Sequence, residues 1–308
     1  MEPFRKIQLM IVGAQKSGTS SLLRYLAQHP DIHTHAQSEL TFFLQEREHT
    51  RGYEWAFAKY FAGERSHHEI KDKHLIAKNV MVMHSPEVMP RIYEHNPEMH
   101  LIVLLREPVA RAYSAYWWAR RRGWENIKTY EEALAAEEAR LNEDWFKWRQ
   151  CAYQYNSIYH PHVKNLIDLF GANRVHCFLT DDLKENAETV CQQIFNHIGI
   201  RSDFKPSIGE RHNQATMPRS ERFNFFFTQF LASHNPLRRA IRKFVPDAAA
   251  YKLRKAILDW NEKPQRDANW TPPLLNPQTR ERQMAYFKPH NEQLAELLDR
   301  DLSFWCSD

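Results

Sequence analysis

The stretch IQLMIVGAQKSGTSSLLRYLAQHP, residues 7–30, decides the fold. Its front end, Ile7, Leu9, Met10, Ile11 and Val12, is a short apolar run of the kind that makes a buried strand. Gly13 breaks the run, and residues 14–20 form a loop of small residues around Lys16. Leu22, Leu23 and Leu26 then recur at helical spacing until Pro30 closes the pattern. A strand, a turn containing glycine and a helix start together offer backbone N–H groups and a positive dipole end to an anion. Lys16 adds a charge to that cradle, and Ser17, Thr19 and Ser20 add hydroxyl donors. The residues therefore predict a phosphate or sulfate site. The plainer reading beside it is a solvent-exposed strand–helix turn that carries a lysine.

Two familiar phosphate-binding patterns are excluded. A Walker A loop needs GxxxxGK followed by Ser or Thr, whereas Lys16 here precedes Gly18 and stands close behind Gly13. The dinucleotide fingerprint GxGxxG is absent. Instead GAQKSGTSSL, followed by a helix and His-Pro, resembles the loop that grips the 5′-phosphosulfate of PAPS (3′-phosphoadenylyl sulfate) in sulfotransferases. The likeness is closest to the heparan-sulfate-type and bacterial carbohydrate sulfotransferases. It implies cofactor contacts from Gly13, Gln15, Lys16, Ser17, Gly18, Thr19 and Ser20, with Lys16 also catalytic as the donor to the leaving oxygen.

Composition sets outer bounds. The 308 residues suffice for one large α/β domain or two small ones. With 43% hydrophobic and 26% charged residues the chain reads as an ordinary soluble protein. A net charge of +4 suits an anionic cofactor or substrate and is too small to argue for nucleic acid. The four cysteines, at 151, 177, 191 and 306, lack the spacing of metal ligands and read as core thiols. No Asp-rich signal calls for Mg²⁺, so no metal is expected. No run approaches the ~20 apolar residues of a membrane span, and MEPFRKIQLM does not read as a signal peptide. Cytoplasm is the expected location.

Further along, residues 31–34 read as a second strand leading to SELTFF, residues 38–43. A glutamate before aromatics is as often a surface residue as a functional one. The resemblance singles out Glu39, because a Glu followed two residues later by Phe-Phe holds the catalytic base of the family; Ser38 departs from the lysine that often precedes it. GYEWAFAKYF, residues 52–61, resembles a short helix lining the acceptor side, with core packing the main reading for Trp55 and Phe57. AKNVMVMHSPEVMPRIY, residues 77–93, aligns without gaps with the family pattern EKxPxYFxSPxVPERVY, with Ala77 in place of the Glu and Val80 in place of the Pro. It thereby implies that Lys78 lies near the acceptor hydroxyl, with Lys73 as competitor and His84 as a second group able to steady the transfer.

HLIVLLR, residues 100–106, is the clearest strand, with five consecutive apolar residues before Arg106. Arg106 therefore stands at the strand edge where open α/β sheets bind ligands. By residue type alone it is a surface salt-bridge arginine or an anion fork. LLREPVARAYSAY resembles LxRDPVxRAYSxY, whose Arg and Ser bind the 3′-phosphate of PAPS, and implies that role for Arg106 and Ser114. Residues 109–118, 129–141, 159–170 and 187–198 read as helices, and 175–179 as a strand. Tyr159 resembles a family tyrosine near the nucleotide, and Thr180–Asp181–Asp182–Leu183 a structural turn that caps the next helix.

The last part, residues 275–305, reads as two amphipathic helical pieces. It resembles the family terminus MxxxTRxxLxxFxxPxNxxLxxLLGRDLxxW nearly throughout. Before it, KPQRDANWTPP, residues 263–273, replaces a basic loop over the nucleotide, so Lys263 or Arg266 is expected to contact PAPS. Residues 237–255 carry seven basic side chains against Asp247 alone, for which water is the first reading, with binding of an anionic polysaccharide and shallow contact with an acidic membrane surface as the alternatives. The whole predicts a P-loop-like, three-layer αβα fold with a central, mostly parallel sheet and added C-terminal helices. A single domain of residues 1–308 is expected, with a PAPS-binding core (7–200), a helical extension (218–262) and a C-terminal cofactor-covering segment (263–308). The expected activity is sulfuryl transfer from PAPS, leaving PAP, to a hydroxyl or amine of a glycan or small-molecule acceptor. The alternatives are a small-molecule kinase or nucleotide hydrolase, and a non-catalytic anion or glycan binder.

Overall fold

The structure is a computed structural model, and it describes residues 5–62, 70–141, 149–209, 220–230 and 271–306. Lys263, Arg266, the basic run 237–255 and the helices expected beyond residue 230 lie outside the described residues. By internal contacts the chain divides into two compact units. The first is Met1–Arg111, Ile158–Ile208 and Met284–Asp308; the second is Ala112–Ser157 and Gly209–Gln283.

The first unit is built on a five-stranded sheet: β1 Leu9–Gly13, β2 Ile32–Thr34, β3 His74–Lys78, β4 His100–Leu105 and β5 Val175–Leu179. Their order is β2-β3-β1-β4-β5, and every neighbouring pair runs parallel. Parallel strands need crossover connections and lie covered on both faces, which is why β1 and β4 read as unbroken apolar runs. Alternate residues serve the two faces. Met10, Val12, Leu101, Val103 and Leu105 pack with Ile92, Val163, Leu166, Phe170, Leu294 and Trp305 on one side. Leu9, Ile11, Ile102 and Leu104 pack with Leu22, Leu26, Val190, Ile194 and Phe195 on the other. The first set of partners comes from Met89–His95, His160–Phe170 and the C-terminal region. The second comes from α1, Thr19–Leu26, and from the helix Ala187–His197. This is the expected three-layer arrangement.

The second unit has its own core of Ala112, Tyr116, Ala133, Cys151 and Tyr153. Arg140 donates to both oxygens of buried Glu125, at 2.6 and 3.0 Å, and the Tyr153 hydroxyl donates to the same carboxylate at 2.8 Å. The helix expected over 129–141 is two helices, Tyr130–Ala135 and Glu137–Leu141. The Glu137 carboxylate turns inward to accept from the backbone N–H groups of Tyr153, Gln154 and Tyr155. The C-terminal region differs in the opposite sense. Instead of two pieces there is one helix, Pro277–Leu298, which continues through Pro289. Proline removes one intrahelical bond, and the burial of Phe287 and Leu294 on either side holds the two turns in line. Among the described residues no helix is long and apolar enough to cross a membrane.

Gly13, at the end of β1, is needed for space. A Cβ there would lie 1.9 Å from the Sδ of fully buried Met83. Gly13→Ala is therefore expected to lower stability by about 1–3 kcal/mol, the usual range for overpacking. Combining it with Met83→Ala should restore part of the loss relative to Met83→Ala alone, as read by denaturant midpoints.

Candidate active site

Sheet order reverses at β1, with β3 on one side and β4 on the other, so a crevice opens beyond the C-terminal ends of these strands. Gly13, Lys78, Arg106 and Thr180 all stand at or just past such ends. The loop after β1 is tied down where it starts: the Ala14 N–H donates to the Leu104 carbonyl at 2.9 Å. Lys16 (φ 71°) and Gly18 (φ 96°) both occupy the left-handed region, which folds the loop back over the start of α1. The N–H groups of Ser21 and Leu22 donate to the Gly18 carbonyl, so those of Gly18, Thr19 and Ser20 precede any intrahelical acceptor. No side chain caps this end of α1. Gln15, Ser17 and Thr19 are buried, and the fully buried Ser17 Oγ has no hydrogen-bond partner among the described residues. A buried hydroxyl without a partner, beside uncapped N–H groups, fits a phosphate-bearing ligand.

Arg106 reaches this loop directly, its Nη1 donating to the Lys16 carbonyl at 3.1 Å. Burial pulls its guanidinium pKa down, and Tyr159, Glu107 and Asp181 offset that only in part. Tyr159, expected near a nucleotide, spends its hydroxyl on the Arg106 carbonyl at 2.9 Å. Burial pushes that phenol up to about 12, so it remains a donor throughout the neutral range. Ser114 lies on the helix Pro108–Arg121, past the division between the units.

Glu39 and Lys78 meet as an ion pair: Lys78 Nζ donates to Glu39 Oε1, and the Val80 N–H donates to Oε2 at 3.1 Å. The approach of residues 39–40 to the end of β3 is fixed by three further bonds. The Leu40 N–H donates to the Lys78 carbonyl, Asn79 Nδ2 to the Leu40 carbonyl, and the Met81 N–H to Asn79 Oδ1. Lys73, the competitor, stands before the first residue of β3 and donates to the Pro30 carbonyl. Five residues at about 3.3 Å each place it at the opposite edge of the sheet. His84 is fully buried, with its ring edge-on to His162 at 4.5 Å.

The electrostatics of this pair follow from burial and one cation. Burial raises the Glu39 carboxyl pKa, and the charge and hydrogen bond of Lys78 hold the rise in check. His35 lies beneath, accepting the Lys78 N–H on Nε2 at 3.0 Å. Burial first, and Lys78 second, lower its pKa to about 4, so at neutral pH it is uncharged with its proton on Nδ1.

Sequence reasoning missed His35, Asn79 and the bonding role of Thr180. Thr180 Oγ1 lies 2.8 Å from the Ser17 carbonyl and 2.9 Å from that of Leu105. The turn expected at residues 180–183 is itself a helix, Thr180–Glu185, in which Asp182 accepts the Leu179 N–H and is paired bidentately with Arg300. The next helix, Ala187–His197, is capped instead by Asn186, which accepts the Thr189 N–H. Burial alone would raise the Asp182 carboxyl, but Arg300 and the Leu179 N–H hold it below the usual range.

Comparison with known proteins identifies the family and supports the fold. The pattern of the sulfotransferase domain family matches residues 6–229. The heparan sulfate glucosamine 3-O-sulfotransferase 5 of Mus musculus is 25% identical over 270 residues, covering 82% of this chain and 70% of its own. The membrane-associated sulfotransferase kil1 of Dictyostelium discoideum is 32% identical over 139 residues, covering 44% of this chain and 28% of its own. Among solved structures, a sulfotransferase from Alicyclobacillus acidocaldarius superposes with a TM-score of 0.66 at 25% identity, covering 98% of this chain and 99% of its own.

Replacing Lys78 by methionine keeps the length of the side chain and removes its charge. The titrations of both Glu39 and His35 should then move to higher pH, since Lys78 lowers both. NMR titration of the Glu39 carboxyl carbon and the His35 ring protons checks this.

Proposed function

Because the chain belongs to the sulfotransferase domain family and is itself a sulfotransferase, we propose that it transfers a sulfuryl group from PAPS to a hydroxyl or amine of a carbohydrate acceptor. The observation that carries this reading is the pairing of half-buried Glu39 with buried Lys78 on the sheet edge that also bears the uncapped loop after β1. PAPS when bound supplies an activated sulfuryl group on a phosphate that leaves. Gln15, Lys16, Ser17, Gly18, Thr19 and Ser20 hold that phosphate through backbone N–H and hydroxyl groups, with Gly13 making room for the loop. Such donors are fixed before reaction and need no reorganisation during it. Lys16 carries the cation that meets charge on the departing oxygen.

Glu39 takes the acceptor's proton. Its raised pKa makes it a better base than an exposed carboxylate, and Lys78 keeps it ionised. Arg106 binds the 3′-phosphate, and Tyr159 supports Arg106 instead of touching the nucleotide. A desolvated guanidinium with only partial charge compensation favours a second anion beside it. A carbohydrate acceptor is supported by the relative named for heparan sulfate glucosamine. The likeness to sulfotransferases favours neither the kinase reading nor the non-catalytic one.

Calorimetric titration with PAP, with ATP and AMP as controls and no added metal, tests the cofactor; no preference for PAP would sink it. Arg106→Ala should weaken PAP binding, whereas Glu39→Gln should leave it unchanged. Lys16→Ala and Glu39→Gln should each reduce turnover by about 10²-fold or more. Because Glu39 acts ionised, the rate should rise with pH through an inflection above the ordinary carboxylate range. Near-normal turnover in Glu39→Gln would remove it as the base.

A further inference from the structure

Thr180 opens the helix Thr180–Glu185 at the C-terminal end of β5, and its side chain is buried. Its hydroxyl stands within hydrogen-bond distance of two carbonyls from different elements, Ser17 in the loop at 2.8 Å and Leu105 at the end of β4 at 2.9 Å. The loop carbonyl next to that of Ser17, on Lys16, is held by Arg106 at 3.1 Å. Two successive loop carbonyls are thus drawn toward the ends of β4 and β5.

A trans peptide unit is planar, with its C=O and N–H pointing in opposite directions. The Ser17 carbonyl shares its peptide unit with the Gly18 N–H. Drawing that carbonyl toward the strand ends therefore turns the Gly18 N–H away from them. Gly18 is the residue just before α1, so its N–H joins those of Thr19 and Ser20, which precede any intrahelical acceptor. Glycine at φ 96° permits this orientation without a Cβ penalty but does not select it. The selection comes from the hydroxyl of Thr180.

We propose that Thr180 is a positioning residue for sulfuryl transfer: by holding the Ser17 carbonyl it aims the Gly18 N–H at the 5′-phosphate of the donor. This rests on the reading of the loop as the PAPS cradle. Thr180 touches no reacting atom and acts only through the loop. Its effect should therefore be confined to the part of the ligand that the loop holds.

Two nucleotides separate that part from the rest: adenosine 3′,5′-bisphosphate (PAP) and adenosine 3′-monophosphate, which lacks the 5′-phosphate. Thr180→Val keeps the shape of the side chain and removes its donor. It should weaken PAP by about 10-fold or more, the usual size of one hydrogen bond to a charged group, and leave adenosine 3′-monophosphate unchanged. Thr180→Ser should restore PAP binding. If Thr180→Val does not yield folded protein, Thr180→Cys, a weaker donor of similar size, should show the same selectivity with a smaller amplitude. Equal losses for both nucleotides, or no loss for either, would overturn the proposal. A wild-type protein that binds PAP no better than the monophosphate would overturn the cradle reading itself, and that result is visible before any variant is made.

Discussion

A strand covered on both faces and bonded along both edges cannot shift its ends, and β1 is such a strand. Its register with β3 and β4 fixes where the chain leaves the sheet at Gly13, and where Lys78 and Arg106 emerge beside it. The chemistry at the sheet edge therefore inherits its precision from a core of aliphatic side chains. Each of these contributes roughly 1.5–3 kcal/mol on burial, and none touches a ligand. The loop itself is packed at Ala14, Gln15, Ser17 and Thr19, all buried. It is placed by hydrogen bonds from the ends of the strands.

Burial raises the Glu39 carboxyl pKa, and Lys78 limits the rise. A carboxylate buried without a partner can shift to pKa values near 8–9 and be protonated when it is needed as a base. An exposed carboxylate in contact with a lysine is held low and is a poorer base. In this site the two tendencies oppose each other and burial prevails by a margin that leaves the shift upward. His35 contributes by remaining neutral. Protonated, it would set a second cation beside Lys78; uncharged, it accepts the Lys78 N–H and leaves the ammonium as the cation facing the carboxylate.

Much of this was legible in the sequence because it is local. The apolar runs at 9–12 and 101–105 specify buried strands, and a chemistry-bearing residue just after each strand falls at the ligand edge without any tertiary information. Residue type alone could not choose between Lys73 and Lys78. They flank the same strand, and only its direction in a parallel sheet decides which reaches that edge. Thr180 was invisible in another way. Its sequence marks a helix start, and the carbonyl it holds is 163 residues distant. The Glu137 side chain breaks a helix that composition favours, because three N–H groups from residues 153–155 outweigh helix propensity, a term of tenths of a kcal/mol per residue. Pro289 continues a helix that composition would end, since buried neighbours hold what the missing bond releases.

The loop also carries an internal cost whose compensation can be traced. Lys16 sits at φ 71°, a region that disfavours a residue with a Cβ by about 1–2 kcal/mol. The two bonds that hold the Lys16 and Ser17 carbonyls are of a size to offset it. A neutral hydrogen bond contributes about 0.5–1.5 kcal/mol net and one from a charged donor about 1.5–3. Arg106 supplies the charged bond and Thr180 the neutral one. The strained conformation is therefore held by its neighbours before any ligand arrives. Binding energy from an anion need not be spent on shaping the loop, and the same arginine that stabilises the loop brings a partly buried positive charge to its edge.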